Sequence, residues 1–136
     1  MKKIINWQNN YSVQIHELDE EHKKLIDIIN ELYDAYLNNI HQDKITHIVS
    51  EMHDYAAVHF KTEEKYFEEF GYREKAEHKA EHEAFLEKMK TFELDYQKNS
   101  KLLSLQILNF LQEWLNNHIM KSDKKYIPCF KSNGLK

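Results

Sequence analysis

The chain has 136 residues, a length that fits one domain able to bury a core without covalent staples. Its single cysteine, Cys129, cannot form an intramolecular bridge, which fits a reducing compartment. Nineteen Lys and Arg face 23 Asp and Glu for a formal charge of −4, with no basic block, so a nucleic acid is not an expected partner.

The opening segment, "MKKIINWQNNYS", lacks an apolar stretch of signal-peptide length. Nothing in the chain approaches the run of apolar residues needed to span a bilayer. The expected location is the cytoplasm. Two glycines and one proline in a chain rich in Glu, Lys, Leu and Ile predict an all-α protein.

Residues 1–18 read as irregular, because "NWQNN" is rich in turn formers and no helical stripe follows it. Asp19 is a candidate N-cap for a helix over about 20–38. Its apolar positions, Leu25, Ile26, Ile29, Leu32, Tyr33 and Tyr36, recur at three and four, and His22 shares their face. Asn38 and Asn39 mark its stop. A second helix, about 43–70, carries Ile45, Ile48, Val49, Met52, Tyr55, Ala56, His59, Phe60, Glu63, Phe67 and Phe70 on one side. Glu63 thus occupies a position where a core residue belongs. Gly71 suits the left-handed residue after a helix end.

The third helix, about 74–97, aligns His78, His82, Phe85, Leu86, Met89, Phe92 and Tyr96. Ser100 is a candidate cap for a fourth over about 101–120. There Leu103 or Ser104, Ile107, Leu108, Leu111, Trp114, Leu115 and His118 point inward. Four amphipathic helices with short connections predict an up-down-up-down antiparallel four-helix bundle with an irregular N-terminal segment and a short C-terminal tail, one domain over residues 1–136.

Seven groups that commonly bind metals fall on these helices. His59 and Glu63, and likewise His78 and His82, are one turn apart and share a helix face. His22 lies near the start of helix one, the pair at 59 and 63 late in helix two, the pair at 78 and 82 early in helix three, and His118 at the end of helix four. In an antiparallel bundle all four sets therefore meet at one level. Asp123, five residues after His118, lies about 140° round a regular helix. To reach the same place the backbone must leave α geometry near Met120–Ser122, through a helix end, a wide turn or a π-bulge.

Five imidazoles and two carboxylates exceed the needs of one tetrahedral zinc and suit two ions sharing carboxylates. A nitrogen and oxygen donor set without sulfur fits iron, with manganese or zinc as alternatives. Two divalent ions balanced by two carboxylates and one hydroxide leave little net charge to bury. His16, His41, His47 and His53 read as surface or core residues. Glu64 reads as a solvated acid or a partner of a ligand.

The set of a histidine on helix one, "HFxxEE" at 59–64, "HxxxH" at 78–82 and "HIxxxD" at 118–123 resembles the hemerythrin family, most of all its small single-domain bacterial members. Trp7, "EWLxNHI" at 113–119 and "DKKY" at 123–126 extend the likeness over nearly the whole chain. The resemblance implies a non-haem di-iron centre with an oxo or hydroxo bridge that binds dioxygen reversibly. One iron would take His78, His82 and His118; the other would take His22 and His59. Glu63 and Asp123 would bridge them, and the two-histidine iron, one ligand short, would take the oxygen. Helical spacing places Leu25, Phe60, Trp114 and Ile119 around the centre as candidate lining of a dry oxygen pocket.

The function implied is storage of oxygen or its delivery to an oxygen-consuming enzyme by a monomer that is not itself an enzyme. Competing expectations are a di-iron oxidase or peroxidase, a nitric-oxide-handling enzyme, an oxygen or redox sensor, and metal storage. The imidazole-rich donor set leans against the oxidase, since carboxylate-rich di-iron bundles use more glutamates.

Overall fold

A computed structural model describes residues 2–40, 42–95 and 100–136, with the side chains of 42, 100 and 101 left aside. His41, Tyr96 and the capping side chain expected at Ser100 lie outside the described residues. The elements are α1 (His16–Leu37), α2 (Gln42–Glu69), α3 (Lys75–Asp95), α4 (Ser100–Trp114), a π-helical segment (Leu115–Ser122), a 3-10 turn (Asp123–Tyr126) and α5 (Ile127–Ser132). No strand occurs among the described residues. Helix α1 packs on α2 and α4, and α2 packs on α3. Aromatic contacts from Phe85 to Trp114 and from Phe92 to Phe110 close the fourth seam of the bundle.

The turns that follow α1 and α2 obey one rule. After α1, Asn39 takes a positive φ of 49°, and the Ile40 N–H reaches back to the Ala35 carbonyl at 3.1 Å. After α2, Gly71 takes a φ of 60°, and the Tyr72 N–H reaches the Phe67 carbonyl at 2.9 Å. Both close the last turn with a left-handed residue, and in the second the Tyr72 ring packs on Phe67 with centroids 5.1 Å apart.

Three expectations need correction. Helix α1 begins at His16, a turn before the expected residue 20, and its N-cap position is Ile15 rather than Asp19. Asp19 sits in the first turn, where its carboxylate accepts the Val13 N–H at 2.8 Å and the Ser12 hydroxyl at 2.6 Å. It thereby ties the incoming loop to the positive end of the helix dipole. Regular α geometry in the fourth helix stops at Trp114, well before residue 120. The C-terminal residues are no loose tail, because α5 buries Phe130 completely. The N-terminal arm is also held. Asn30 accepts the Ile4 and Ile5 N–H groups at 2.9 and 3.0 Å and donates to the Ile5 carbonyl at 2.8 Å.

The interior divides in two. A large apolar cluster runs from Leu25, Met52 and Phe60 through Phe85, Leu111 and Ile119. A smaller one joins Val13, Ile15, Leu18, Phe67, Tyr72, Tyr126 and Phe130. Along α1, Leu18 belongs to the small cluster and Leu25 to the large, with His22 between them. The same order recurs on α2 with Phe67, Glu63 and Phe60, and past α4 with Tyr126, His118 and Leu115. A buried polar layer therefore separates two apolar ones.

Candidate metal centre

All seven residues singled out in the sequence lie in that layer, each 3% exposed or less. Their donor atoms form two overlapping groups: Glu63, His78, His82, His118 and Asp123 in one, and His22, His59, Glu63 and Asp123 in the other. Both groups contain Glu63 and Asp123.

In the first group His78 Nε2 and His82 Nε2 each lie 3.2 Å from His118 Nε2. Bare ring nitrogens at that spacing repel unless a proton or a cation lies among them. Asp123 turns Oδ1 to this group, 2.8 Å from His78 Nε2 and 3.0 Å from His118 Nε2. Its other oxygen, Oδ2, lies 3.1 Å from His22 Nε2 in the second group. Glu63 Oε1 sits between the groups, 3.3 Å from His59 Nε2 and 3.2 Å from His82 Nε2. Glu63 Oε2 accepts the Tyr126 hydroxyl at 2.6 Å.

The π-helical segment gives Asp123 its position. Hydrogen bonding from residue i to i+5 widens the turn, and the Asp123 N–H reaches the His118 carbonyl. Residues five apart then stand over one another, as residues four apart do on α2 and α3. The departure expected at Met120–Ser122 begins earlier, at Leu115.

Electrostatics follow from burial and crowding. Burial alone would push the His118 imidazole down. Asp123 beside it, the Glu81 hydrogen bond and Glu63 together carry it up to about 10. His22 is likewise driven down by burial but carried up to about 9 by Asp123 and Glu63. Burial and mutual repulsion would raise Glu63, yet His59, His22 and His82 hold it well below the usual carboxylate range. Burial opposes ionisation of Asp123 too, and His118, His22 and His78 overcome it. In the ion-free layer His22 and His118 thus form a packed array as cations against the Glu63 and Asp123 carboxylates.

That array is incomplete as a hydrogen-bonded structure. His22 Nε2, His59 Nε2, Glu63 Oε1 and Asp123 Oδ2 are buried with no hydrogen-bond partner. Buried polar atoms rarely go unpartnered, and these four are donor atoms facing the interior of the layer. Two cations would satisfy them and take the place of the protons. The donor set is nitrogen and carboxylate oxygen without sulfur, which suits iron.

Three carboxylates stand behind the cage. His59 Nδ1–H donates to Glu21 Oε1 at 2.6 Å, His82 Nδ1–H to Glu64 Oε2 at 2.7 Å and His118 Nδ1–H to Glu81 Oε1 at 2.9 Å. Glu64 thus partners a histidine, the second of the two readings open to it in the sequence, whereas Glu21 and Glu81 were not singled out there. Each is a sequence neighbour of a cage residue. One residue's step turns it about 100° round the helix, toward the seam with the next helix; that offset is the signal that identifies it.

Of the four candidate pocket residues, Phe60 lies flat on His82 at 3.9 Å and Trp114 on His118 at 4.6 Å. Leu25 and Ile119 are buried in the large cluster, and Trp114 is half-buried. His16 and His47 are exposed, and His53 pairs with Asp54 at the surface. No helix among the described residues is long and apolar enough to cross a membrane.

Residues 13–130 match the family model described as the hemerythrin HHE cation binding domain. A bacteriohemerythrin of Clostridium acetobutylicum is 34% identical, covering 89% of this chain and 97% of its own length. One from Pseudomonas aeruginosa is 31% identical over 90% of this chain and 79% of its own length. The crystal structure of a wild-type hemerythrin superposes with a TM-score of 0.82 at 27% identity, covering 93% of this chain and 97% of that one. With the family model spanning most of the chain and a cage of imidazoles and shared carboxylates at its centre, the chain belongs to the hemerythrin family.

Proposed function

We propose that this protein binds dioxygen reversibly at a non-haem di-iron centre, for storage or for delivery to oxygen-requiring enzymes, and that it is not itself an enzyme. The observation that carries this reading is the division of Asp123, one oxygen toward each imidazole group, with Glu63 Oε1 between them. His78, His82 and His118 would hold one iron, His22 and His59 the other, with Glu63 and Asp123 shared. A ferrous pair held by these residues would supply the two electrons that reversible dioxygen binding requires.

The protein's own groups prepare the site. Glu21, Glu64 and Glu81 accept the outer ring protons of three histidines, so the inner nitrogens present lone pairs. Tyr126 holds Glu63. Leu25, Phe60, Trp114 and Ile119 keep the side facing the large cluster dry, which hinders protons from reaching the centre. Five neutral imidazoles with only two carboxylates favour reversible binding over oxidation of a further substrate.

We also read residues 1–136 as one domain that acts as a cytoplasmic monomer, with an oxygen-consuming enzyme as recipient. The test is to reduce iron-loaded protein without air and admit oxygen while recording the visible spectrum. Two irons per chain and a colour that bleaches under vacuum are expected. Steady turnover of oxygen, or a single colourless zinc, would defeat the reading.

A further inference from the structure

Glu21, Glu64 and Glu81 share a geometry that extends beyond the cage. Glu21 stands on α1 and binds a histidine of α2; Glu64 on α2 binds one of α3; Glu81 on α3 binds one that follows α4. Each link therefore runs from one helix to the ligand of the next. Two links carry a further support. Glu21 Oε2 accepts the Thr62 hydroxyl at 3.4 Å, and Glu81 Oε1 accepts the Ser122 hydroxyl at 2.7 Å. Glu81 thus spans both His118 and Ser122, clamping the π-helical segment beside Asp123. The chain of links ends at His22, whose Nδ1 is buried without a partner.

We propose that Glu21, Glu64 and Glu81 are positioning residues that set the two ions apart: Glu21 governs the ion of His22 and His59, and Glu64 and Glu81 govern the ion of His78, His82 and His118. This rests on the di-iron reading. A carboxylate accepting the outer N–H of a ligand imidazole fixes its tautomer and orientation and strengthens the inner nitrogen as a donor. The extra electron density stabilises the more oxidised ions, so these glutamates make the pair a better electron donor to oxygen. The two ions receive unequal support, two glutamates at one and one at the other. The less supported ion is the one with fewer imidazoles.

The test replaces each glutamate by alanine and by glutamine in the whole chain. The protein is loaded with cobalt(II), and release of each ion to a chelator is followed by the hyperfine-shifted proton resonances of its own histidines. Alanine at 21 is expected to speed release from the two-histidine site by roughly 10–100-fold and to leave the other nearly unchanged, with the converse for 64 and 81. Glutamine keeps the hydrogen bond without the charge. It should restore release to within about 3-fold of the original protein while still raising the reduction potential of the iron-loaded form.

Equal acceleration at both sites, or alanine variants that release cobalt at the original rate, would overturn the assignment. If an alanine variant does not fold, the glutamine variant decides: an unchanged potential overturns the proposal. An unmutated protein that takes only one ion defeats the di-iron reading itself. Two ions and reversible oxygen uptake with indifferent variants defeat only the role given to the glutamates.

Discussion

Tyr126→Phe isolates one hydrogen bond at the floor of the cage. The tyrosine is completely buried, and its ring stacks on Phe130 with centroids 4.2 Å apart. Phenylalanine keeps that stacking and removes one oxygen atom. Glu63 Oε2 then loses its 2.6 Å donor and retains only His22 Nε2, 3.6 Å away. Loss of a hydrogen bond to a buried charged group costs about 1.5–3 kcal/mol. With unfolding entropy of about 2.1 cal/mol/K per residue, 136 residues give about 0.3 kcal/mol per degree. The ion-free protein should therefore melt about 5–10 °C lower by circular dichroism in chelator. Tyr66→Phe is the control, because that hydroxyl meets Glu17 near the surface, where a polar pair is worth about 1 kcal/mol or less. A Tyr126→Phe shift no larger than the Tyr66→Phe shift would show that the hydroxyl does not hold Glu63.

Three other outcomes are expected. Phe60→Ser puts a hydroxyl and space for water against His82 and should shorten the lifetime of the oxygenated protein in air about 10-fold or more; an unchanged decay of its visible band would remove the case for a dry pocket. Removing the metals should loosen the small cluster first, seen as faster amide hydrogen exchange in α5 and the 3-10 turn than in the middle of α1; uniform exchange would contradict a structure in two apolar layers. The ion-free protein should also respond to pH with a definite sign. His22 and His118 are raised to about 9 and about 10, so their contribution is complete below the unfolded value of 6.5 and is lost as pH climbs through 9 to 10. Glu63 and Asp123 are lowered, so theirs is present above the ordinary 4.5 and 3.8 and is lost in acid. A urea midpoint that rises between pH 7 and 10 in chelator would contradict the pairing.

The cage was legible in the sequence because its members break the rule of the stripe on which they sit. A glutamate and five histidines on apolar faces, placed at one level by alternating helix direction, would be costly to bury unless they met a common charge. Asp123 was legible as a geometric demand: the i,i+5 spacing forces a wide turn, and the backbone supplies one, although it begins at Leu115. The outer glutamates were hidden because Glu21 and Glu81 lie in charge runs that look like solvated faces; their side chains are 22% and 44% exposed. What sets them apart is the neighbouring helix, which periodicity along one helix does not contain. The early start of α1 and the packing of α5 escaped for a related reason. Val13, Ile15 and Phe130 come from short segments with no repeat of their own, and they join Leu18 of the first turn of α1 in a cluster only when these segments meet α2.

Asp123 is last in chain order among the seven and belongs to both donor groups. During synthesis, a ribosome that has made the first three helices has already produced His22, His59, Glu63, His78 and His82, yet neither set is complete. Completion waits for the π-helical segment and the Asp123 that follows it. A fragment abandoned before residue 123 lacks a donor from each set. Both donor sets are thereby reserved for chains carried through residue 123.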